Sequence, residues 1–375
     1  MLPQDPSVRN SIAMDSGTYS YDSNSEIQRQ VYNEAEGWMP NLRGQKRFTV
    51  VDYGCGPGLN WTYGMNKLLS KADDNVEFQL MLNDGLKNDW NAVSHVVEGY
   101  RARMRKNQKG HIAMLPGSFY GQIMSPESVD IGMAWSSFHF LENQPQHVDT
   151  TSESEEEAYV RWRESVRLQG HVDMVKLLRL RANEIKPGGQ LIIAMVTNAA
   201  SNTPKVHYEA TVQALKKCLE DGLMTPEQYN AFRAPIFEPT EDDLQQILSA
   251  VQDLWSLPKP WGRSTIPHPS WAKLQQSEKT SRDYDEFAEG IAGFILAIYS
   301  GILIKALRSG HHATEQALRK TKSADEDRFL AEFKKRFIEA ILSERLRHRP
   351  VAGHWLIMRL IRKATKEEVG PRIML

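Results

Sequence analysis

The chain has 375 residues, 41% of them hydrophobic and 25% charged, with 46 Lys and Arg against 47 Asp and Glu. That length can bury a large core, and a net charge near zero excludes a general electrostatic attraction to nucleic acid or to anionic lipid. Two cysteines, Cys55 and Cys218, exclude a disulfide framework and favour a reducing compartment, so a cytoplasmic location is expected.

Taken in order, residues 1–14 are polar, carry Pro3 and Pro6, and read as a disordered tail with no apolar core of a signal peptide. Ser25 followed by Gln28 has the spacing of a capping box that opens a helix over residues 26–39. The stretch that organises the chain comes next. A short β-branched run at 49–51 suits a buried parallel strand. Asp52 stands at its end, followed by Gly54, Gly56 and Gly58 at alternate positions, and then a helix over 61–70. Glycines there let the chain turn sharply and let a ligand lie against the backbone. A strand, a glycine turn and a helix bring backbone N–H groups to that ligand.

Two ligand classes fit this arrangement. A dinucleotide needs G-x-G-x-x-G and an acidic residue roughly 20 residues on. Here the glycines read G-x-G-x-G, and the next strand-end acid, Asp84, stands later than that spacing. S-adenosylmethionine (SAM) fits better. Its amino-acid head can be ordered by an acid at the first strand end, and its ribose hydroxyls by an acid at the second.

Further strands are expected at 76–82, 111–115, 128–134 and 190–196, with helices over 89–105 and 156–185 between them. That alternation argues for an α/β fold with a parallel sheet covered on both faces. Lys186 to Gly189 read as a turn. From 203 to about 310 the pattern becomes helical, with proline-rich joints and no clear strand, which reads as a helical cap over the sheet. The apolar run at 291–304 is shorter than the ~20 residues of a membrane span and reads as a buried helix. A helix over 324–346 and a closing strand over 353–362 follow. His311 and His312 lack metal-ligand spacing, and no metal is expected.

At this point the residues resemble the SABATH methyltransferases, a family that includes salicylate, benzoate and jasmonate carboxyl methyltransferases. Ser20, Tyr21, Asn24, Ser25 and Gln28 resemble its S-Y-x-x-N-S-x-x-Q opening, and Asp52 to Asn60 its D-L-G-C-S-x-G-P-N. Asn83, Asp84, Asn88 and Asp89 resemble its N-D-L-P-x-N-D. Gly117, Ser118, Phe119 and Tyr120 match G-S-F-Y, and residues 137–141 resemble S-L-H-W-L.

The resemblance implies a Rossmann-like class I core with a seven-stranded, mostly parallel sheet, formed by 15–202 and 311–375, and an α-helical cap at 203–310. It implies SAM as cofactor, held by Ser25, Asp52, Gly54, Asn60, Asp84, Gly85, Ser118, Phe119 and Trp135. It implies a small-molecule acceptor, positioned by Gln28, Tyr21, Ser136, His139, Phe140, Tyr208 and Phe237, and a homodimer without nucleic acid or membrane partners. A carboxylate oxygen is the expected acceptor. It needs no general base, so His139 reads as a pocket wall.

The chain also departs from the family. Phe140 stands where the carboxyl methyltransferases carry a tryptophan whose indole N–H meets the substrate carboxylate, and phenylalanine has no donor. Ser136 replaces a pocket aromatic, and Gly85 a leucine. Transfer to nitrogen or hydroxyl, and a nucleotide-binding subunit without turnover, are the alternatives.

Overall fold

A computed structural model describes residues 24–105, 107–145, 155–198, 205–309 and 324–364. The expected N-terminal tail and Tyr21 lie outside the described residues.

The parallel part of the sheet is built from β1 (Arg47–Tyr53), β2 (Glu77–Asp84), β3 (Lys109–Pro116), β4 (Val129–Trp135) and β5 (Ile185–Val196). Strand β8 (Ala352–Arg362) lies antiparallel to β5. The order is β3-β2-β1-β4-β5-β8. The direction of strand succession therefore reverses between β1 and β4, and the crevice at their carboxyl ends is where such sheets bind ligands.

The sheet has eight strands rather than seven. The additional pairing comes from β6 (Trp255–Ser256) and β7 (Gly262–Pro267), which share the outer edge of β8. Both fall in the stretch expected to hold no strand. They are short and bounded by prolines, and they form only because β8 offers an open edge. The turn expected at 186–189 is a bulge: Val129 pairs with Ile185, but Ile131 pairs with Gln190.

Period-two alternation divides the core. Val50, Phe78, Leu80, Ile131 and Met133 face one way. They pack against α1 (Glu26–Glu34), α2 (Asn60–Leu69) and α3 (Trp90–Arg103). Val51, Tyr53, Ala134, Leu191 and Ile193 face the other way, towards α4 (Glu155–Glu184).

A separate apolar cluster joins α5 (Val206–Glu220), α6 (Pro226–Ala231), α8 (Pro269–Gln276), α9 (Ser281–Arg308) and α10 (Ala324–Ile341). This is the helical layer. Its membership does not follow the boundaries expected from sequence. α7 (Glu241–Ser249) belongs to the sheet core through Leu244 and Ile247, whereas α10, beyond residue 310, belongs to the helical layer through Phe333 and Phe337. α9 has the length and hydropathy of a membrane span, and Phe287, Ile291, Ile295 and Leu303 of its apolar residues are buried in this cluster.

Candidate active site

Two adjoining regions lie at the carboxyl ends of the strands. The first is a cradle around the glycine turn. Gly54 has φ +88°, and a Cβ there would stand 2.4 Å from the Cβ of Ser137, so the chain after β4 crosses directly over it. The Ser137 hydroxyl donates to the Tyr53 carbonyl at 2.5 Å, while the Gly54 and Cys55 amides donate to the Asn83 carbonyl. The Asn83 side-chain amide donates to the carbonyls of Leu115 and Gly117, which ties the second strand end to the loop carrying Ser118 and Phe119. Asn88 donates to the Gly56 carbonyl at 2.8 Å.

Within this cradle Asp84 accepts from the amides of Gly56 (2.7 Å) and Gly85 (2.6 Å). Burial still raises its pKa to about 6, with those two bonds opposing. Asp52 is 2% exposed, and its Oδ1 has no partner among the described residues. Burial, and then the neighbouring Asp84, push its pKa to about 8. Two adjacent carboxyls, one of them with an orphaned oxygen, make a site that lacks its counter-group. A ligand bearing cationic and hydroxyl groups, as SAM does, fits that pair of acceptors.

The Ser25–Gln28 pair is not a capping box. Ser25 makes no side-chain cap bond to α1. Its hydroxyl instead exchanges hydrogen bonds with Asn60, whose Nδ2 donates to it at 3.0 Å. That leaves Gln28 uncommitted to its helix. α1 gives way to a 3₁₀ turn at Ala35–Trp38, short of the expected end.

The sequence reading missed one support. Arg181 is fully buried on α4 and donates to the carbonyls of Phe119 (3.0 Å) and Gly121 (2.8 Å). Glu184 balances it at 3.0 Å and also accepts from the Ile123 amide and the Tyr53 hydroxyl. This network fastens the 118–123 loop to the end of β1. A long helix with charges on most turns gives no sequence signal for it.

The second region is a cavity of about 90 Å³ between the strand ends and the helical layer. Gln28, Ser136, His139 and Phe140 line its sheet side; Lys205, His207 and Tyr299 line its helical side. Gln28 Oε1 and His139 Nδ1 are buried without a partner among the described residues. Ser136 has φ +57°, a left-handed backbone unusual outside glycine, at the point where the chain leaves β4. A larger, open trough of about 540 Å³ along α4 holds no carboxylate and no strand end.

Segment 139–141 pairs with 235–237. Phe237 donates its amide to the His139 carbonyl at 2.8 Å, and Phe140 bridges Ile236. Extended chain alternates its side chains. Ile236 and Glu238 therefore face the cavity, and Phe237, expected to position substrate, turns into the core, where its ring lies against Gly170 of α4. Tyr208 also departs from expectation. The cavity wall on α5 is its neighbour His207, while Tyr208 packs on Tyr159 at 5.4 Å. Trp135, expected beside the cofactor, is a core residue whose ring lies 4.5 Å from Tyr32 and against Gly64 of α2.

The cavity holds one charged cluster. Lys205 and Arg163 both pair with Glu238. Burial acts to raise the Glu238 pKa, yet the two cations hold it below the usual carboxylate range. Burial lowers His139 and His207 to about 3 and His268 to about 4. His354 is lowered too, again by burial first.

Comparison with known proteins places this geometry. The sequence profile described as "SAM dependent carboxyl methyltransferase" matches residues 9–343. The chain is similar to methyltransferase LUC1 of Fusarium sp, at 27% identity over 78% of this chain and 80% of that one. It is also similar to the salicylate/benzoate carboxyl methyltransferase of Arabidopsis thaliana, at 23% identity over 62% and 68%. Among solved structures, loganic acid methyltransferase with SAH shares the fold at TM-score 0.67 and 17% identity, over 94% of this chain and 99% of that one. The protein belongs to the SAM-dependent carboxyl methyltransferases, the SABATH type anticipated from its motifs, and is itself a SAM-dependent methyltransferase.

Proposed function

We propose that the acceptor is a carboxylate oxygen of a small organic acid and that the product is its methyl ester. One observation carries this reading: among the described residues, the cavity beside the cradle presents no group suited to act as a base near neutral pH. Burial lowers the pKa of its four imidazoles, and its one carboxylate among the described residues, Glu238, is committed to two cations. A hydroxyl acceptor would need its proton removed. A carboxylate is already ionised near pH 7.

When bound, SAM supplies an electrophilic methyl group on a sulfonium. Asp52, Asp84, Ser25, Asn60, Ser118 and Phe119 are the residues that would hold it. The chain's own contribution is then positioning. Gln28 presents an amide to the acceptor, and Phe140, Ile236 and Tyr299 exclude water from the cavity. Positioning of this kind can supply roughly 7–11 kcal/mol of a barrier. The family resemblance also supports a homodimer, which light scattering of the purified protein would check, and the cysteine usage supports a cytoplasmic location, which imaging of a tagged chain in cells would check.

Transfer to nitrogen is the second reading, favoured by the missing donor at Phe140, since an amine bound unprotonated also needs no base. Labelled SAM offered with panels of acids and amines separates the two. A base-labile labelled product is expected from the acids. A base-stable product, or transfer to amines alone, overturns the ester reading.

A further inference from the structure

We infer that Lys205 is the group that recognises the acceptor's carboxylate in this protein, in the place of the indole donor that Phe140 lacks. The inference rests on the reading of the acceptor as an acid.

Lys205 stands at the N-terminal boundary of α5, so its ammonium and the positive end of a 15-residue helix approach the cavity together. Its ammonium has three donors. One meets Glu238, and a second reaches the Thr197 carbonyl at 3.4 Å. The third has no partner among the described residues. Phe140 and Lys205 line the same cavity, and the charges of Lys205 and Glu238 both act on His139, the chain neighbour of Phe140.

Charge balance points the same way. Among the described residues Glu238 is the only carboxylate lining the cavity, and it faces two cations, Lys205 and Arg163. Counted over Lys205, Arg163 and Glu238 alone, the described cluster has one more positive than negative charge. Lys205 is the more buried of the two cations, and an anionic ligand beside it would balance its charge. The side-chain amide of Gln28 lines the same space; its Oε1 has no partner among the described residues, and its Nε2 is the end that would donate to a carboxylate. Gln28 and Lys205 together would grip a carboxylate from the sheet side and the helical side.

The alternative role for Lys205 is structural, as a neutraliser of Glu238. A double variant separates the two. Equilibrium dissociation constants of benzoate, salicylate and indoleacetate, and of their uncharged amides, would be measured with S-adenosylhomocysteine present. The proteins would be wild type, K205M, K205R and K205M/E238Q, with thermal melting and S-adenosylhomocysteine binding as checks of folding.

We expect wild type to prefer at least one acid over its amide. K205M should lose roughly 10- to 100-fold of acid affinity while its amide affinity holds, as for one lost charge-assisted bond. K205R should keep part of the preference, and K205M/E238Q should not regain it. The inference is overturned if wild type prefers no acid over its amide, if K205M keeps the preference, or if K205M/E238Q restores it. A wild type that prefers acids yet forms no base-labile ester would sink the proposed reaction and leave Lys205 in its role.

Discussion

The cradle and the cavity adjoin, yet they are built on different principles. In the cradle, nearly every polar group is spoken for by a neighbour at the strand ends: Asn83, Asn88, Asp84 and Ser137 each bond to backbone. The exceptions are Asp52 Oδ1 and Asn83 Oδ1, buried without a partner among the described residues, and burial raises the pKa of Asp52 and of Asp84. In the cavity, Gln28 and His139 keep buried atoms unpartnered, and charge is confined to one cluster. The cradle is closely hydrogen-bonded and general, since every substrate of a SAM enzyme meets the same cofactor. The cavity is where one acceptor is told from another, and its polar groups are left open for it.

That contrast can be broken most directly at the carboxyls. The double variant D52N/D84N should lose affinity for S-adenosylhomocysteine by at least ~100-fold, since charge-assisted bonds contribute about 1.5–3 kcal/mol each. Its melting temperature without ligand serves as the folding check, since an asparagine in place of Asp84 can keep only one of the two backbone bonds that Asp84 accepts. Calorimetric titration with undiminished affinity would show that the cradle is not the nucleoside site.

Phe237→Ala tests the cavity's boundary from the core side. A buried phenylalanine packed against Gly170 should cost about 3–5 kcal/mol of stability when truncated, with KM for the acceptor nearly unchanged in the folded fraction. A KM effect without a stability loss would return Phe237 to the pocket.

The smallest effect is in pH. Folded pKa values of about 6 for Asp84 and about 8 for Asp52 lie above the ordinary 3.8. A cation is held by the ionised forms, so S-adenosylhomocysteine affinity should rise from pH 6 to pH 8, by up to about tenfold per unit. The sign for the ligand-free protein is opposite. Folded carboxyls keep protons that the unfolded chain releases, so their contribution to stability is present below pH ~4 and is lost as pH rises towards 8. Melting curves with and without ligand should therefore diverge across that window, and parallel curves would refute the coupling.

Much of the cradle could be read in the chain because it is local: a strand end, a glycine turn and a helix start are contiguous, and Asp84 ends the next strand. The Ser25–Gln28 spacing was misleading for a physical reason. A capping box and a pocket glutamine share one pattern, and only the approach of Asn60 decides where the Ser25 hydroxyl goes. The division into sheet core and cap was similarly hidden. β6 and β7 exist because β8 offers an edge, and α10 joins the helical layer through contacts with α5 and α9.

Residue types at the strand ends, set by the chain alone, determined the fold class, the family and the cofactor, because those depend on backbone turns and short-range donors. The tertiary structure alone decided which of Ile236, Phe237 and Glu238 face the cavity, that burial lowers the pKa of its histidines, and that Lys205 lines the same cavity as Phe140. Those properties depend on strand register and burial, and both arise only when segments distant in sequence are brought together.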